Sequence, residues 1–302
     1  MIEIKRILCP VDFSDHSRHA LHHAAAIARW YESMITLLYV HPFVPDAAAA
    51  AGAPAFTPFV VTAADREKLL ASMKSFGEHE VLSGVPVDVE VTEGAVALEI
   101  LDRANALAAD LIVMGTHGRS GFERLMIGSV TEKVLRKASC PVLSVPPRAE
   151  DAGTLTPLFK RILCAVDFSD CSMRALHFAM ALAQETDGHL TVLNVVELPA
   201  DAHERLPELS PGVREYVAAM EEDHRQRLQS AVPDAVRAYC AVETMMVPGK
   251  PYREILRVAA EQQSDLIVIG IHGRGAADRL FFGSTTQHVV RQATCPVLTL
   301  RR

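Results

Sequence analysis

The chain carries one sequence pattern twice, at an offset of 155 residues. The segment KRILCPVDFSDHSRHALHHAAAIA, residues 5–28, matches KRILCAVDFSDCSMRALHFAMALA, residues 160–183, with 17 of 24 positions identical. Further along, DLIVMGTHGR and DLIVIGIHGR keep this offset, as do ASCPVLSV and ATCPVLTL. A match that extends over so much of each half indicates duplication of a whole domain rather than a short solenoid repeat.

The boundary between the two copies is marked by the segment PPRAEDAGTLTP. Its prolines, glycine and charged residues are typical of an exposed linker. We therefore expect one domain over residues 1–146, a linker over 147–158 and a second domain over 159–302. The length of 302 residues agrees with this division, because ordinary domains have about 150 residues.

Each half alternates short apolar runs with segments of helical periodicity. In the first half, we expect strands at 4–11, 34–40, 85–91, 110–115 and 141–145, and helices at 17–31, 64–82, 95–107 and from Thr131 onward. Strands that are apolar on both faces and separated by helices predict a parallel sheet covered on both sides. The predicted fold class is therefore α/β, with two tandem, doubly wound, parallel five-stranded sheets. Such sheets bind ligands beyond the carboxyl ends of the strands, where the strand order reverses.

Three glycines follow the fourth strand of each half at fixed intervals. The spacing is the same in both copies: Gly115, Gly118 and Gly128 in the first, and Gly270, Gly273 and Gly283 in the second. Bare backbone at these positions, followed by a helix N-terminus, predicts a phosphate-binding loop, to which the loop arginines add positive charge. Ser129 is expected to cap the helix or to donate to a phosphate oxygen. The alternative is a loop whose glycines serve only turns and whose serine serves only as a cap.

An aspartate follows the first strand of each half, within the identical string VDFSD. At this position the carboxylate of Asp12 or Asp167 is suited to accept hydrogen bonds from ribose hydroxyls or to coordinate Mg²⁺ through water. The alternative role is interaction with a helix dipole, for which Ser14 and Asp15 are better placed. We therefore favour a ligand role for both aspartates.

Together these motifs resemble those of the universal stress protein family, in its tandem, nucleotide-binding form. That branch carries G-x2-G-x9-G-[S/T] after the fourth strand and an aspartate after the first, and both halves of this chain match without a gap. The resemblance implies a Rossmann-like fold and an adenine nucleotide, ATP or a related one, as ligand, with Mg²⁺ as a candidate companion. It also implies a stress-response or signalling role in which the nucleotide acts as a regulatory ligand.

The resemblance assigns a nucleotide site to each half. In relatives that bind ATP, the adenine lies against the ends of the first and second strands, the aspartate contacts ribose, and the loop wraps the phosphates. In the first half the implied contacts are Pro10, Val11, Asp12, Val40, Met114, Gly115, His117, Gly118, Arg119, Gly128, Ser129, Val130 and Thr131. In the second half they are Ala165, Val166, Asp167, Val195, Ile269, Gly270, His272, Gly273, Arg274, Gly283, Ser284, Thr285 and Thr286. One departure is that Ala165 replaces the proline of the first copy, so the two sites need not bind equally.

Two other nucleotide motifs are not matched by the sequence. The nearest string to a P-loop, VPGKPY around Gly249 and Lys250, lacks the preceding glycine and has proline where a hydroxyl residue is required. The dinucleotide fingerprint GxGxxG does not follow either first strand, which argues against an NAD oxidoreductase.

A slow ATP hydrolase and a metal-binding regulator stay open as alternatives. His117 and His272 each lie between motif glycines and are candidates to orient an attacking water, although we favour packing beside the ligand. His16, His19 and His23 form a stripe on the first helix that could hold zinc or nickel, although a solvated polar face is the favoured interpretation. No catalytic residue is assigned, and the metal ligands are unknown.

The composition limits the compartment and the partners. A formal net charge of -7 argues against a nucleic-acid partner or a polybasic membrane anchor. The N-terminus lacks a signal-peptide pattern, and the uncharged run at 47–64 contains glycine and two prolines, which predicts a loop rather than a membrane span. The six cysteines include no CxxC pair and are typical of buried thiols in a reducing cytoplasm. We therefore expect a cytoplasmic protein without nucleic-acid or membrane partners.

We expect the two domains to pack as an intramolecular pair through an apolar contact between their last strands. The fusion holds the two domains at a high local concentration, which favours this contact. A further homodimer is compatible with the sequence. The segments 42–62 and 198–214 differ between the copies and are expected to form mobile flaps over the nucleotide sites.

Overall fold

The computed structural model describes residues 3–42, 63–77, 82–117, 127–147, 159–197, 210–273 and 283–301. The first half contains β1 (Arg6–Pro10), α1 (Asp15–Tyr31), β2 (Met34–Pro42), α2 (Ala63–Gly77), β3 (Val87–Gly94), α3 (Val96–Ala106), β4 (Leu111–Gly115), α4 (Ser129–Lys137) and β5 (Val142–Val145). The second half contains β6 (Arg161–Ala165), α5 (Asp170–Thr186), β7 (His189–Val196), α6 (Pro211–Ser230), α7 (Asp234–Arg237), β8 (Ala241–Pro248), α8 (Pro251–Glu261), β9 (Leu266–Gly270), α9 (Ser284–Gln292) and β10 (Val297–Leu300). The order of elements in the first half is the one predicted.

All the described strands belong to one sheet, in the order β3-β2-β1-β4-β5-β10-β9-β6-β7-β8. Neighbouring strands within each half are parallel, whereas β5 and β10 pair antiparallel where the halves meet. The second half repeats the parallel pairings of the first. The predicted α/β class with two doubly wound parallel units is therefore confirmed. The two predicted five-stranded sheets are joined edge to edge into a single sheet.

The inner strands of the sheet are buried on both faces, because helices cover both. In β4, Leu111 and Val113 belong to one hydrophobic cluster, whereas Ile112 and Met114 belong to the other. This division follows from the two-residue period of a strand, which directs successive side chains to opposite faces. Helices α1 and α5 pack in the first cluster, and α3, α4, α8 and α9 pack in the second.

The two halves meet at the antiparallel pair of β5 and β10. Leu143 and Leu298 are paired directly across the two strands and have exposed fractions of 1% and 3%. The hydroxyl of Thr299 donates to the carbonyl of Val142 at 3.2 Å, across the same pair of strands. The predicted apolar contact between the last strands is confirmed, and backbone pairing adds to it.

The histidine stripe on α1 lies partly against the second half, so the interpretation as a solvated polar face is wrong. His23 is buried, and its ring stacks on that of Phe159 with a centroid distance of 6.0 Å. The Nδ1 of His19 lies 3.3 Å from the carbonyl oxygen of Pro146. Among the described residues, no group of three or more His, Cys, Asp or Glu side chains is arranged to hold a metal ion. The sequence pattern of the first copy did not reveal this burial, because the surface that covers His23 belongs to the second copy.

Burial of His23 makes the stability of the fold sensitive to acid. Burial, together with the nearby His19 and His22, lowers the pKa of His23 to about 3, against about 6.5 in an unfolded chain. At pH values between these two pKa values, the unfolded chain binds one proton more than the folded chain. The free energy of unfolding therefore falls as the pH falls. We expect His23 to lower the free energy of unfolding by about 2 kcal/mol when the pH is lowered from 7.5 to 5. Urea unfolding at both pH values measures the loss.

The matched variant for this test is His23→Phe, because Phe178 occupies the equivalent position in the second copy. Phenylalanine preserves an aromatic ring against Phe159 and removes the titrating group. The variant should lose less stability than the parent protein on going from pH 7.5 to pH 5. Equal losses in the two proteins would show that His23 is not the acid-sensitive group.

The longest described helix, α6, lies mainly on the surface. Of its 20 residues only Leu228 is buried, and Tyr216 has an exposed fraction of 70%. Such a polar surface is typical of a helix that covers a sheet edge through a narrow apolar stripe. Across the described ranges, no helix combines the length and the apolar character needed to cross a membrane.

All six cysteines are free thiols. Cys9 in β1 and Cys164 in β6 are buried, as their apolar sequence context predicts. Burial raises the pKa of the Cys9 thiol to about 12 and that of the partly buried Cys140 thiol to about 11. Since the thiolate is the reactive form of cysteine, these thiols are held in an unreactive state near neutral pH.

Candidate functional site

The strand order reverses between β1 and β4 in the first half, and between β6 and β9 in the second. Residues that follow these strands therefore face a common crevice beyond the carboxyl edge of the sheet. Asp12 follows β1 and Gly115 ends β4, and Asp167 and Gly270 occupy the equivalent positions. The fold thus brings the two motifs identified in the sequence to the position where doubly wound sheets bind ligands.

The turn between β1 and α1 holds Asp12 in one orientation. Its Oδ1 accepts hydrogen bonds from the backbone N–H of Ser14 at 3.1 Å and from the Ser14 hydroxyl at 2.5 Å. The Ser14 hydroxyl also caps α1 by accepting from the N–H of Ser17 at 3.2 Å. The second copy repeats the arrangement, since Oδ1 of Asp167 accepts from the N–H and hydroxyl of Ser169 at 3.0 and 2.6 Å.

The residue after each aspartate has a left-handed backbone that the sequence analysis did not identify. Phe13 and Phe168 have φ angles of 64° and 63°. For a non-glycine residue this region costs about 1–2 kcal/mol, so the surroundings must hold it, and such residues are concentrated at functional sites. The ring of Phe13 packs against Tyr39 and Phe76 with centroid distances of 5.0 and 5.7 Å. The one feature of the sequence that could have drawn attention to these residues is that VDFSD is identical in both copies.

In the second half, the aspartate and the glycine loop lie side by side. A Cβ built on Gly273 would lie 2.5 Å from Oδ2 of Asp167, which is well inside van der Waals contact. Because Oδ1 is held by Ser169, Oδ2 is the carboxylate oxygen that faces the loop. Gly273 therefore permits this close approach, and its backbone is not left-handed.

The other motif glycines also permit close approaches of the backbone. A Cβ on Gly270 would lie 2.8 Å from the backbone nitrogen of Ser172, at the start of α5. A Cβ on Gly283 would lie 2.9 Å from the carbonyl oxygen of Ile271. The corresponding distances at Gly115 and Gly128 begin at 3.2 Å, so the first half is slightly less tightly packed here.

Ser129 does not cap α4, so that part of the prediction is wrong. The N-cap residue is Gly128, without a side-chain cap, and Ser129 is the first helical residue. The N–H of Gly128 donates to the carbonyl of Thr116 at 2.8 Å and is therefore already used. Gly283 and Ser284 have the same arrangement at the start of α9. The role that stays open for the exposed serine side chains is contact with a ligand.

Thr131 and Thr286 connect the helix to the strand. Both are buried, and their hydroxyls donate to the carbonyls of Gly115 and Gly270 at 2.9 and 2.8 Å. These hydrogen bonds fix the beginning of the helix against the end of the fourth strand. The geometry supports a positioning role, in which the threonines orient the serine that precedes them by two residues.

Most of the apolar residues assigned to the site point into the core. The buried side chains are those of Val11, Val40, Met114, Val166 and Ile269, with exposed fractions of 3–6%. The backbone N–H groups of Val11 and Val166 donate to strand carbonyls at 2.9 and 2.8 Å. Any contact that these residues make with a ligand must therefore come from remaining backbone groups. Val130, Val195 and Thr285 are partly buried.

The replacement of Pro10 by Ala165 has a structural counterpart. The parallel register of β6 with β9 extends to the pair Ala165 and Ile269. The register of β1 with β4 ends earlier, at Leu8 and Ile112. Proline has no N–H to donate, which accounts for the shorter pairing of β1 with β4. This difference supports the expectation that the two sites are unequal.

The loop histidines lie at the border of the site. Nδ1 of His117 is 3.0 Å from the Thr116 hydroxyl, and its ring centroid is 6.0 Å from that of His16. In the second half, the carbonyl of His272 accepts from the Ser169 hydroxyl at 3.3 Å. Gly118, Arg119 and Arg274 lie outside the described residues, as do most residues of the two expected flaps.

Ser169→Ala is expected to weaken both the helix cap and the site. The substitution removes the hydroxyl that caps α5 and holds Asp167, so we expect a loss of about 1 kcal/mol in the free energy of unfolding. Release of Asp167 should also lower the affinity of this crevice for a ligand. Urea unfolding and ligand titration measure the two effects. Ser169→Thr keeps the hydroxyl and is the control, so equal behaviour of the two variants would contradict the assigned role.

The chain matches known proteins over both halves. The model of the universal stress protein family matches residues 3–146 and again residues 158–301. Since these matches cover nearly the whole chain, this protein belongs to the universal stress protein family.

Relatives and solved structures agree with this assignment. A universal stress protein of Methanocaldococcus jannaschii is 37% identical over 145 residues, which cover 47% of this chain and 81% of that protein. One from Mycolicibacterium smegmatis is 27% identical over 306 residues, which cover 98% of this chain and 96% of the relative. The crystal structure of a universal stress protein from Archaeoglobus fulgidus is similar with a TM-score of 0.65 at 23% identity, covering 100% of both chains. The similarity to the Archaeoglobus fulgidus structure is evidence for the fold alone.

Proposed function

We propose that each half of this protein binds one adenine nucleotide, ATP or a related one, and that the nucleotide acts as a regulatory ligand in a cytoplasmic stress-response protein. Membership of the universal stress protein family supports the stress-related role. The resemblance of both halves to the nucleotide-binding motif of that family supports the adenine base. The geometry of the crevice supports recognition of ribose and phosphate.

The observation that supports the proposal most directly is that Asp167 and Gly273 lie side by side where the strand order reverses. One oxygen of the carboxylate is held by Ser169, and the other faces the glycine loop. A carboxylate beside bare backbone and the exposed Ser284 hydroxyl combines an acceptor for ribose hydroxyls with donors for phosphate. The first half repeats the aspartate, its serine partner and the exposed serine of the helix.

A divalent ion would enter this site together with the phosphates. Across the described ranges no cluster of three ligating side chains is present, so the protein does not supply a complete metal site there. Mg²⁺ commonly keeps several waters and binds through one or two carboxylates plus substrate phosphates. Asp12 and Asp167 are the carboxylates that fit this role.

A regulatory role is favoured over rapid hydrolysis. Hydrolysis of ATP requires a group that orients the attacking water, in addition to a phosphate cradle. The His117 ring lies against the Thr116 hydroxyl and near the His16 ring, which supports packing beside the ligand. We therefore expect turnover below about one per second, the low end for working enzymes.

The test is mass spectrometry of ligand released from the purified protein, followed by calorimetric titration with adenine and guanine nucleotides. We expect an adenine nucleotide in the released material and a stoichiometry of two per chain after its removal. Absence of saturable binding by any adenine nucleotide would refute the proposal. An ATP turnover well above about one per second would refute the regulatory role while leaving nucleotide binding intact.

A further inference from the structure

An open cleft of about 420 Å³ adjoins the proposed phosphate end of the second nucleotide site. Its lining includes Glu197 after β7, Lys250 and Tyr252 at the start of α8, and Ser284, Thr285 and His288 on α9. This volume lies within the range of small-molecule sites. Ser284 and Thr285 belong both to the cleft and to the proposed nucleotide site, so the two spaces are continuous.

Lys250 is held in position by the turn that precedes α8. The residue before it, Gly249, has a φ of 141°, and a Cβ there would lie 2.8 Å from Cγ of Glu254. Lys250 itself is the N-cap residue, with its carbonyl accepting from the N–H of Arg253 at 2.9 Å, and Pro251 begins the helix. The backbone of Lys250 is therefore well determined, while its side chain is exposed at the cleft.

The cleft is lined by one ammonium group, that of Lys250, and one carboxylate, that of Glu197. Among the described residues Lys250 makes no ion pair, whereas Glu254 of the same turn is neutralised by Arg257 at 2.8 Å. The ring of His288 stacks on Tyr252 at 4.4 Å, and its Nδ1 donates to the carbonyl of Ser284 at 2.7 Å, so that His288 holds the wall of the cleft in place. Glu197 is the opposing carboxylate. A phosphate chain carrying Mg²⁺ satisfies both signs of charge.

The first half differs at the equivalent positions. Ala95 replaces Lys250, Ala97 replaces Tyr252, and Lys133 replaces His288 on the wall formed by α4. Of the two helices that precede the fourth strand of each half, α3 and α8, only α8 is thus preceded by a lysine. A difference of this kind, beside residues that both copies share, is suited to change ligand choice without changing the basic site.

We infer that Lys250 is a specificity residue of the second nucleotide site, where it binds the terminal phosphates of a nucleoside polyphosphate. The inference rests on the proposed function. Because Ser284 and Lys250 line the same cleft, a triphosphate bound at Ser284 has further phosphates to offer to Lys250, whereas a monophosphate has none. The second site therefore selects for the length of the phosphate chain, and Lys250 supplies that preference through a charge-assisted hydrogen bond.

The experiment compares AMP, ADP and ATP, with Mg²⁺, by calorimetry on the full chain. A Gly118→Val background, the counterpart of Gly273→Val, is expected to disable the first site, and a stoichiometry of one in that background confirms that the second site is measured alone. Lys250→Met should weaken ATP binding about tenfold, the effect of one hydrogen bond to a charged group, and leave the Kd for AMP unchanged. Because Lys250 is exposed, the variant should fold, and its urea midpoint checks this. The reciprocal variant, Ala95→Lys in a Gly273→Val background, should raise the preference of the first site for ATP over AMP.

The outcomes separate this inference from the proposed function. A selective loss of ATP affinity in Lys250→Met, with AMP binding intact, supports the inference. An unchanged ratio of AMP to ATP affinity overturns it while leaving nucleotide binding established. A parallel loss of AMP and ATP binding also overturns it, because it would place Lys250 in general support of the site. If the unsubstituted chain binds none of the three nucleotides, the proposed function fails and the inference fails with it.

Discussion

Gly273→Val is expected to abolish nucleotide binding in the second half and to leave the first half unaffected. The first atom of any side chain at this position would lie 2.5 Å from Oδ2 of Asp167, and valine adds two methyl groups beyond it. Either the loop or the aspartate must move, and the site needs both. We expect affinity to fall at least about a hundredfold, which corresponds to about 3 kcal/mol. In a calorimetric titration with ATP, the stoichiometry should fall from two to one.

The control is Ala235→Val in α7, which directly precedes β8 and so lies at the edge of the sheet opposite the crevice. Ala235 is exposed, so the added methyl groups should leave both sites intact. A double-mutant cycle with Asp167→Ala tests the stated cause. If Gly273→Val acts by displacing Asp167, the effects of the two substitutions on affinity should be far from additive. Retention of two full-affinity sites in Gly273→Val would reject the assignment of the loop.

Leu298→Asp is expected to destabilise the whole protein by disrupting the junction of its halves. Leu298 lies opposite Leu143 in the antiparallel pair of β5 and β10, with an exposed fraction of 3%. A carboxylate there would be buried without a partner, a change that commonly costs about 3–5 kcal/mol. Urea unfolding should show a large shift of the midpoint to lower urea concentration. If the two halves depend on each other for stability, both should unfold earlier.

Leu98→Asp provides the control for Leu298→Asp. Leu98 lies in the first turn of α3 with an exposed fraction of 51%, so the same substitution removes little buried area there. An aspartate near a helix N-terminus is also favourable with respect to the helix dipole. We therefore expect little change in stability. Equal unfolding midpoints for Leu298→Asp and the unsubstituted protein would show that the junction contributes little to the fold.

The predictable part of the site was its backbone frame. Asp12, Gly115 and their counterparts could be placed because strand order and the ends of parallel strands follow from periodicity and chain connection alone. The roles of individual residues in the site were harder to predict from the sequence. Ser129 was predicted to cap the helix or to donate to a phosphate oxygen, yet Gly128 takes the cap position, because one residue of helical register decides which group begins the helix. The left-handed backbone of Phe13 is a conformation that side-chain identity does not reveal.

The sequence by itself determined that this chain forms two similar α/β units, each with an aspartate and a glycine loop at the carboxyl edge of a parallel sheet. Periodicity and duplication are local properties, so they can be recognised without knowing what each segment contacts. Only the tertiary structure decided that β5 and β10 join the sheets, and that His23 is buried against Phe159. It alone also decided that Lys250 and Ser284 line one cleft. These contacts depend on which distant residues meet in space, and that is a property of packing rather than of any single segment.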